Sequence, residues 1–222
     1  MVKKRITTTV ITEEIIEDTR PKTFHDFILI DRSGSMASRL VETTSAVNAY
    51  IKELKAKENP IKITVATFDD YSGLKLEIIR DKIPLTEVKE ILQVEIHPRG
   101  GTPLYDAIGK LSTKILEDNP DNSAFIIITD GEENASREMK KESTKKILDS
   151  FREKGWQTIF LGVDFENFSQ ARDLGNSYGS TISVNAVNFG QTMSATASMR
   201  STYATTGQNM VYTEKDRAAA KK

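Results

Sequence analysis

Two short apolar runs constrain this chain more than any other feature. Phe27-Ile28-Leu29-Ile30 stops at Asp31, and Ala124-Phe125-Ile126-Ile127-Ile128-Thr129 stops at Asp130. Runs without polar alternation belong to strands covered on both faces, the setting of central strands in a parallel sheet. Each of these strands would then end at its carboxyl edge in a carboxylate. Beyond Asp31 come Ser33 and Ser35, so one strand terminus carries three oxygen-bearing side chains in close succession.

The segments around these runs alternate between strand and helix patterns. A helix is expected over about Ala37–Lys57, with Leu40, Val47, Ile51 and Leu54 at helical spacing, stopped by Asn59-Pro60. Ile61–Phe68 and Leu74–Arg80 read as strands joined by the short turn Asp69–Gly73, hence an antiparallel hairpin. A short helix is expected near Thr86–Leu92. Then comes a glycine-rich loop, His97-Pro98-Arg99-Gly100-Gly101-Thr102-Pro103, opening a helix to about Glu117. After the second apolar run, a helix from about Arg137 to Lys154 would bury Met139, Ile147 and Phe151. Trp156–Val163 reads as a strand ending at Asp164, Phe168–Leu174 as a short helix, Ile182–Val184 as a strand and Phe189–Tyr203 as a last helix rich in Ser, Thr and Ala.

The order β-α-β-β-α-β-α-β-α-β-α predicts a doubly wound, Rossmann-like α/β domain. Its sheet would be mostly parallel with one antiparallel edge strand, and helices would cover both faces. The domain is expected over 21–207. Residues 1–20 alternate Thr with Ile and Val and read as an N-terminal arm or edge strand, with addition to another subunit's sheet as the alternative. Residues 208–222 are expected to form a fraying tail.

Composition removes several function classes. The chain has no cysteine, which excludes disulfide scaffolds, thiol catalysis and zinc-thiolate or iron–sulfur sites. A net charge of −1 gives no basic field for nucleic acid. The N-terminus begins with basic residues but lacks the apolar core of a secretion signal, and no apolar run approaches a membrane span. A cytoplasmic location is therefore expected, and the sequons at Asn134 and Asn167 read as chance.

In doubly wound sheets, ligands bind at strand carboxyl ends where strand order reverses. Asp31, Ser33, Ser35, Thr102 and Asp130 are all placed to meet there. The set offers oxygen alone, which suits a hard divalent cation: Mg²⁺ first, with Mn²⁺ and Ca²⁺ as the other choices. Taken singly, each residue has a plainer reading: a strand-end cap for Asp31, helix N-caps for the serines, a turn for Asp130-Gly131. Five such coincidences together favour the metal.

The combination Asp31-x-Ser33-x-Ser35, Thr102 after Gly-Gly, and Asp130-Gly131 after an apolar strand resembles the von Willebrand factor A domain and its metal-ion-dependent adhesion site. The resemblance covers roughly 24–185. It implies that the two serines and the threonine coordinate the metal and that the two aspartates act directly or through water. The implied activity is binding rather than catalysis: a protein partner supplies an Asp or Glu to the metal. The compact size, with no recognisable signal, anchor or second domain, leads to the expectation of a stand-alone intracellular prokaryotic or phage-like member rather than a cell-adhesion protein. An adaptor or subunit of an AAA+ ATPase, chelatase-like or remodelling, is the alternative. A metal-dependent hydrolase or phosphotransferase has no evident general base, and a haloacid-dehalogenase-like site would want an acid where Ser33 stands. Arg32 and Met36 are expected to frame the loop, and Asp106 to support it by hydrogen bonds. Glu132 and Glu133 read as a solvated acidic turn, His25 and His97 as structural, and Lys140, Lys141, Lys145 and Lys146 as a wet helix face.

Overall fold

A computed structural model describes residues 22–163 and 169–222. The expected N-terminal arm lies outside the described residues, as do Asp164, the Asn167 sequon and the start of the helix expected at Phe168. The elements in order are β1 (Phe24–Asp31), α1 (Leu40–Ala56), β2 (Ile61–Asp70), β3 (Leu74–Pro84), α2 (Leu104–Asp118), β4 (Asn122–Thr129), α3 (Lys141–Glu153), β5 (Gln157–Val163), α4 (Ser169–Asp173), β6 (Thr181–Val184), α5 (Phe189–Thr206) and α6 (Glu214–Ala220). Among the described residues, no helix is long and apolar enough to cross a membrane.

The six strands form one sheet in the order β3-β2-β1-β4-β5-β6. β1 is central and parallel to both neighbours, pairing Asp31 with Phe68 of β2 and Ile30 with Ile128 of β4. Among the described strands, the β2–β3 pair is antiparallel and the other pairs are parallel. The fold is thus the mostly parallel, Rossmann-like sheet expected from the alternation of elements. The chain winds from β1 to β2 in one direction and returns to β4 in the other, so the reversal point falls between β1 and β4. Asp31 and Asp130 stand on either side of it.

The two faces of β1 sort its side chains by strand periodicity. Ile28 and Ile30 pack with Val47, Ile51 and Leu54 of α1 and with Phe189, Met193 and Ala197 of α5. Phe27 and Leu29 face the opposite way, toward Leu104, Ile108 and Leu111 of α2 and Leu148 and Phe151 of α3. All four β1 residues are completely buried, and each such side chain contributes roughly 1.5–3 kcal/mol. The first layer also holds a buried ion pair. Arg200 Nε of α5 lies 2.6 Å from Asp26 Oδ1 of β1, and the Tyr50 hydroxyl of α1 donates to Asp26 Oδ2 at 2.8 Å.

Four expectations are corrected. Residues near Thr86–Leu92 form no α-helix; short 3₁₀ turns at Leu85–Glu87 and Gln93–Glu95 flank an extended stretch. That stretch bonds to other elements instead: Asn48 of α1 both donates to the Ile91 carbonyl and accepts its N–H, and Lys55 donates to the Val88 carbonyl. The first helix opens as a 3₁₀ segment, Gly34–Arg39, before α1 begins. The third helix starts at Lys141 rather than Arg137; the segment before it is held in place by the Asp106 carboxylate, which accepts the N–H groups of Arg137, Glu138 and Met139. Met139 therefore precedes α3 and packs beside Gly109 of α2. The C-terminal segment does not fray. Met210, Tyr212 and Ala220 are buried, Tyr212 N–H donates to the Gly179 carbonyl, and Thr213 with Asp216 forms a capping box that starts α6.

Candidate functional site

The loop after β1 is shaped by its own side chains. Asp31 is fully buried. Its Oδ1 accepts the Ser33 N–H at 2.7 Å, which turns the chain back over the strand end. Its Oδ2 accepts the Thr129 hydroxyl at 2.7 Å, from the last residue of the neighbouring strand. The Ser33 and Ser35 hydroxyls lie 3.1 Å apart, and Ser35 donates to Asp130 Oδ1 at 2.7 Å. Asp31, Ser33, Ser35 and Asp130 are therefore linked in series, first through the Ser33 N–H and then between side-chain oxygens.

Thr102 joins this group through backbone contacts. The Gly34 N–H donates to the Gly100 carbonyl at 3.0 Å, and the Arg99 N–H to the Arg32 carbonyl at 2.8 Å. These bonds lay the glycine-rich loop against the serine loop. Thr102 itself is clamped by Asn134: its N–H donates to Asn134 Oδ1 at 2.9 Å, and its carbonyl accepts the Asn134 N–H at 3.1 Å. The Thr102 hydroxyl stands outside this reciprocal pair. Ser33 and Thr102 are buried while Ser35 is exposed, so the group opens to solvent at Ser35.

Arg32 and Met36 frame the loop as expected. Arg32 points away from the oxygens into the β2–β3 hairpin, where its Nε meets Asp69 at 2.5 Å and its Nη1 meets Glu77 at 2.6 Å. Met36 is buried in the core. Asp106 was expected to support the loop beside it; its carboxylate instead accepts the N–H groups of Arg137, Glu138 and Met139, in the segment after Asp130. His25 lies at the far end of β1, where its Nε2 is 2.8 Å from the Thr64 hydroxyl, and takes no part. His97 is exposed.

The donors fit a hard cation. Among the described residues, no group of three or more His, Cys, Asp or Glu side chains is arranged to hold a metal, so any cation here depends on hydroxyl oxygens. That chemistry suits Mg²⁺-like ions and disfavours zinc. Electrostatics agree. Burial pushes the Asp31 carboxyl up to about 6; the bonds from Thr129 and Ser33 pull against that shift, and the nearby Asp130 charge adds to it. The Arg39 Nη1 lies 3.6 Å from Asp130 Oδ2. A dry carboxylate beside a second carboxylate is a place where a divalent cation would relieve both.

The sequence reading missed Thr129, Asn134 and the role of Glu133. Thr129 carried a signal, since a hydroxyl ending an otherwise aliphatic run faces one strand-end carboxylate and adjoins another. Glu133 was expected in a solvated turn. It is half-buried, and its carboxylate accepts the N–H groups of Tyr105, Ala135 and Ser136. Sequence offered no means of telling it from the exposed Glu132.

A family model described as von Willebrand factor type A domain matches residues 27–213. Comparison with curated protein sequences returns no match. Among solved structures, a von Willebrand factor type A protein from Catenulispora acidiphila aligns at a TM-score of 0.61 and 15% identity, covering 81% of this chain and 43% of that one. The vWF domain of the type V pili tip protein Mfa5 from Porphyromonas gingivalis aligns at 0.62 and 10% identity, covering 85% and 99%. Manganese-loaded TRAP protein from Plasmodium vivax aligns at 0.54 and 14% identity, covering 77% and 71%. Likeness at these identities establishes a shared fold. The chain spans less than half the length of the Catenulispora structure.

Proposed function

The chain belongs to the von Willebrand factor type A domain family, and from that premise we propose that it is a metal-dependent protein-binding module. The observation that carries this reading is the bond from Ser35 to Asp130. It ties the loop after β1 to the end of β4 at the reversal point of the sheet, and Ser35, the exposed member of the donor set, faces solvent. Ser33, Ser35 and Thr102 would hold the cation through hydroxyl oxygens, with Asp31 and Asp130 acting directly or through water. When bound, Mg²⁺ supplies Lewis acidity and an open coordination position, because hydroxyl ligands donate little charge. The partner would fill that position with an Asp or Glu carboxylate at the mouth beside Ser35. Among the described residues, the side chains gathered here are oxygen donors suited to a cation, which favours the binding reading.

The test pairs metal titration with ligand selection. Calorimetry with Mg²⁺ and Mn²⁺ on the wild type, Thr102→Ala and Ser33→Ala measures the site directly. A random peptide library panned in Mg²⁺ and challenged with EDTA then reports on the partner. Selected peptides are expected to share an acidic residue, and its Glu→Gln change should abolish binding. Peptides that hold equally in EDTA, or that lack any acid, would sink the reading.

A further inference from the structure

Thr102 and Asp130 come from different loops, and the structure shows how those loops are held together. α2 follows Thr102 directly, and its N-cap position, Pro103, provides no side-chain cap. A helix start leaves several backbone N–H groups without internal partners. Here the partners come from the loop after Asp130. The Tyr105 N–H donates to Glu133 Oε2 at 3.0 Å, and the Asp106 N–H donates to Ser136 Oγ at 3.1 Å. Glu133 also accepts the Ser136 N–H at 2.6 Å and the Ser136 hydroxyl at 2.7 Å. Its negative charge at a helix N-terminus is favourable as well.

The exchange runs in both directions. Asp106, in the first turn of α2, accepts the N–H groups of Arg137 at 2.8 Å, Glu138 at 3.1 Å and Met139 at 2.6 Å. Asn134 and Thr102 bond each other reciprocally, and a side chain at Gly101 would sit 2.9 Å from Asn134 Oδ1. Each loop thus caps the other, and no contact in this set involves the oxygens proposed for the cation.

We infer that this cross-capping holds Thr102 and Asp130 in register before any metal binds, with Glu133, Asn134 and Asp106 as positioning residues for the site. The inference rests on the metal-binding reading above. It adds that the cation meets a formed site, so little ordering cost is subtracted from its affinity. Residues that orient metal ligands typically change affinity by roughly 10–100-fold when removed.

The experiment measures amide hydrogen exchange and Mn²⁺ affinity side by side. In EDTA, the amides of Thr102, Tyr105 and Met139 in the wild type are expected to be protected. Glu133→Gln and Asn134→Ala should speed their exchange and weaken Mn²⁺ by roughly 10–100-fold. Phe151→Leu, a core change at α3 that touches neither loop, serves as the control: it should lower the melting temperature at least as much yet leave Mn²⁺ affinity within about twofold. Free exchange in EDTA that is quenched only by Mn²⁺ would overturn the inference and leave the metal reading intact. Faster exchange in the variants with unchanged Mn²⁺ affinity would also overturn it. Protection in EDTA without Mn²⁺ binding by the wild type would overturn the metal reading itself.

Discussion

Ser35 and Asp130 lie 95 residues apart in sequence, and the Ser35 hydroxyl donates to Asp130 Oδ1 at 2.7 Å. One comes from the loop after β1 and the other from the end of β4, so their contact spans the point where strand order reverses. The same two side chains sit where an exposed hydroxyl meets a nearly buried carboxylate.

Asp130→Asn separates charge from geometry at this contact. The amide oxygen can still accept from Ser35, but the negative charge is gone. Mn²⁺ affinity is expected to fall by roughly two orders of magnitude, since ligand charge sets affinity at hard-cation sites. Thermal stability should move little, because the lost 3.6 Å Arg39 contact is offset by relief of the repulsion between Asp130 and Asp31. Calorimetric titration and thermal melting of the same sample check both halves.

Gly100 is needed for its backbone shape. Its φ is +65°, and an added Cβ would lie 2.5 Å from the Asp70 carbonyl oxygen. Gly100→Ala should cost about 1–3 kcal/mol and weaken metal binding, because the carbonyl that receives Gly34 must shift. Gly190→Ala, with open space around it in the first turn of α5, should instead stabilise by about 0.4–1 kcal/mol. Urea denaturation of both variants tests the contrast.

Asp26 and Arg200 form an ion pair with both side chains fully buried. Breaking one side leaves an uncompensated charge, so Arg200→Met should cost about 3–5 kcal/mol. Adding Asp26→Asn to that variant should recover part of the loss, since Asn keeps an acceptor for the Tyr50 hydroxyl and carries no charge. A double-mutant cycle by urea denaturation measures the coupling. Additive losses would show that the pair contributes nothing jointly.

His25 supplies an acid-side dependence of stability. Burial lowers its pKa from 6.5 to about 4, against the opposing pull of Asp118. The unfolded chain takes up this proton near 6.5 while the folded chain refuses it until about 4. Stability is therefore full above pH 6.5 and declines as pH falls toward 4, by at most about 3 kcal/mol. His25→Gln should flatten that limb, read as the urea midpoint at pH 7.5, 6 and 5.

The architecture was legible because its signals are local. A run such as Ala124–Thr129 declares a central strand through its own composition, and Leu104, Ile108, Leu111 and Ile115 declare a helix face through their own spacing. The five oxygen residues were legible for a related reason: each follows a strand or opens a helix, and doubly wound sheets gather such positions at one edge. The misreadings share a different cause. A short helix was expected near Thr86–Leu92, but the backbone there found partners in Asn48 and Lys55. The tail was expected to fray, yet Met210, Tyr212 and Ala220 pack into the core.

By itself, then, the sequence determined the order of the six described strands with α1 to α5 and the chemical type of the five oxygen residues of the proposed site, since both follow from neighbours along the chain. Only the tertiary structure decided which Glu caps α2, which hydroxyl fixes Asp31 and which Arg goes into the core. Those outcomes depend on partners 28, 98 and 174 residues away. Hydrogen bonds and ion pairs form between groups that the fold brings within about 3 Å, and no periodicity in the chain encodes a distance across it.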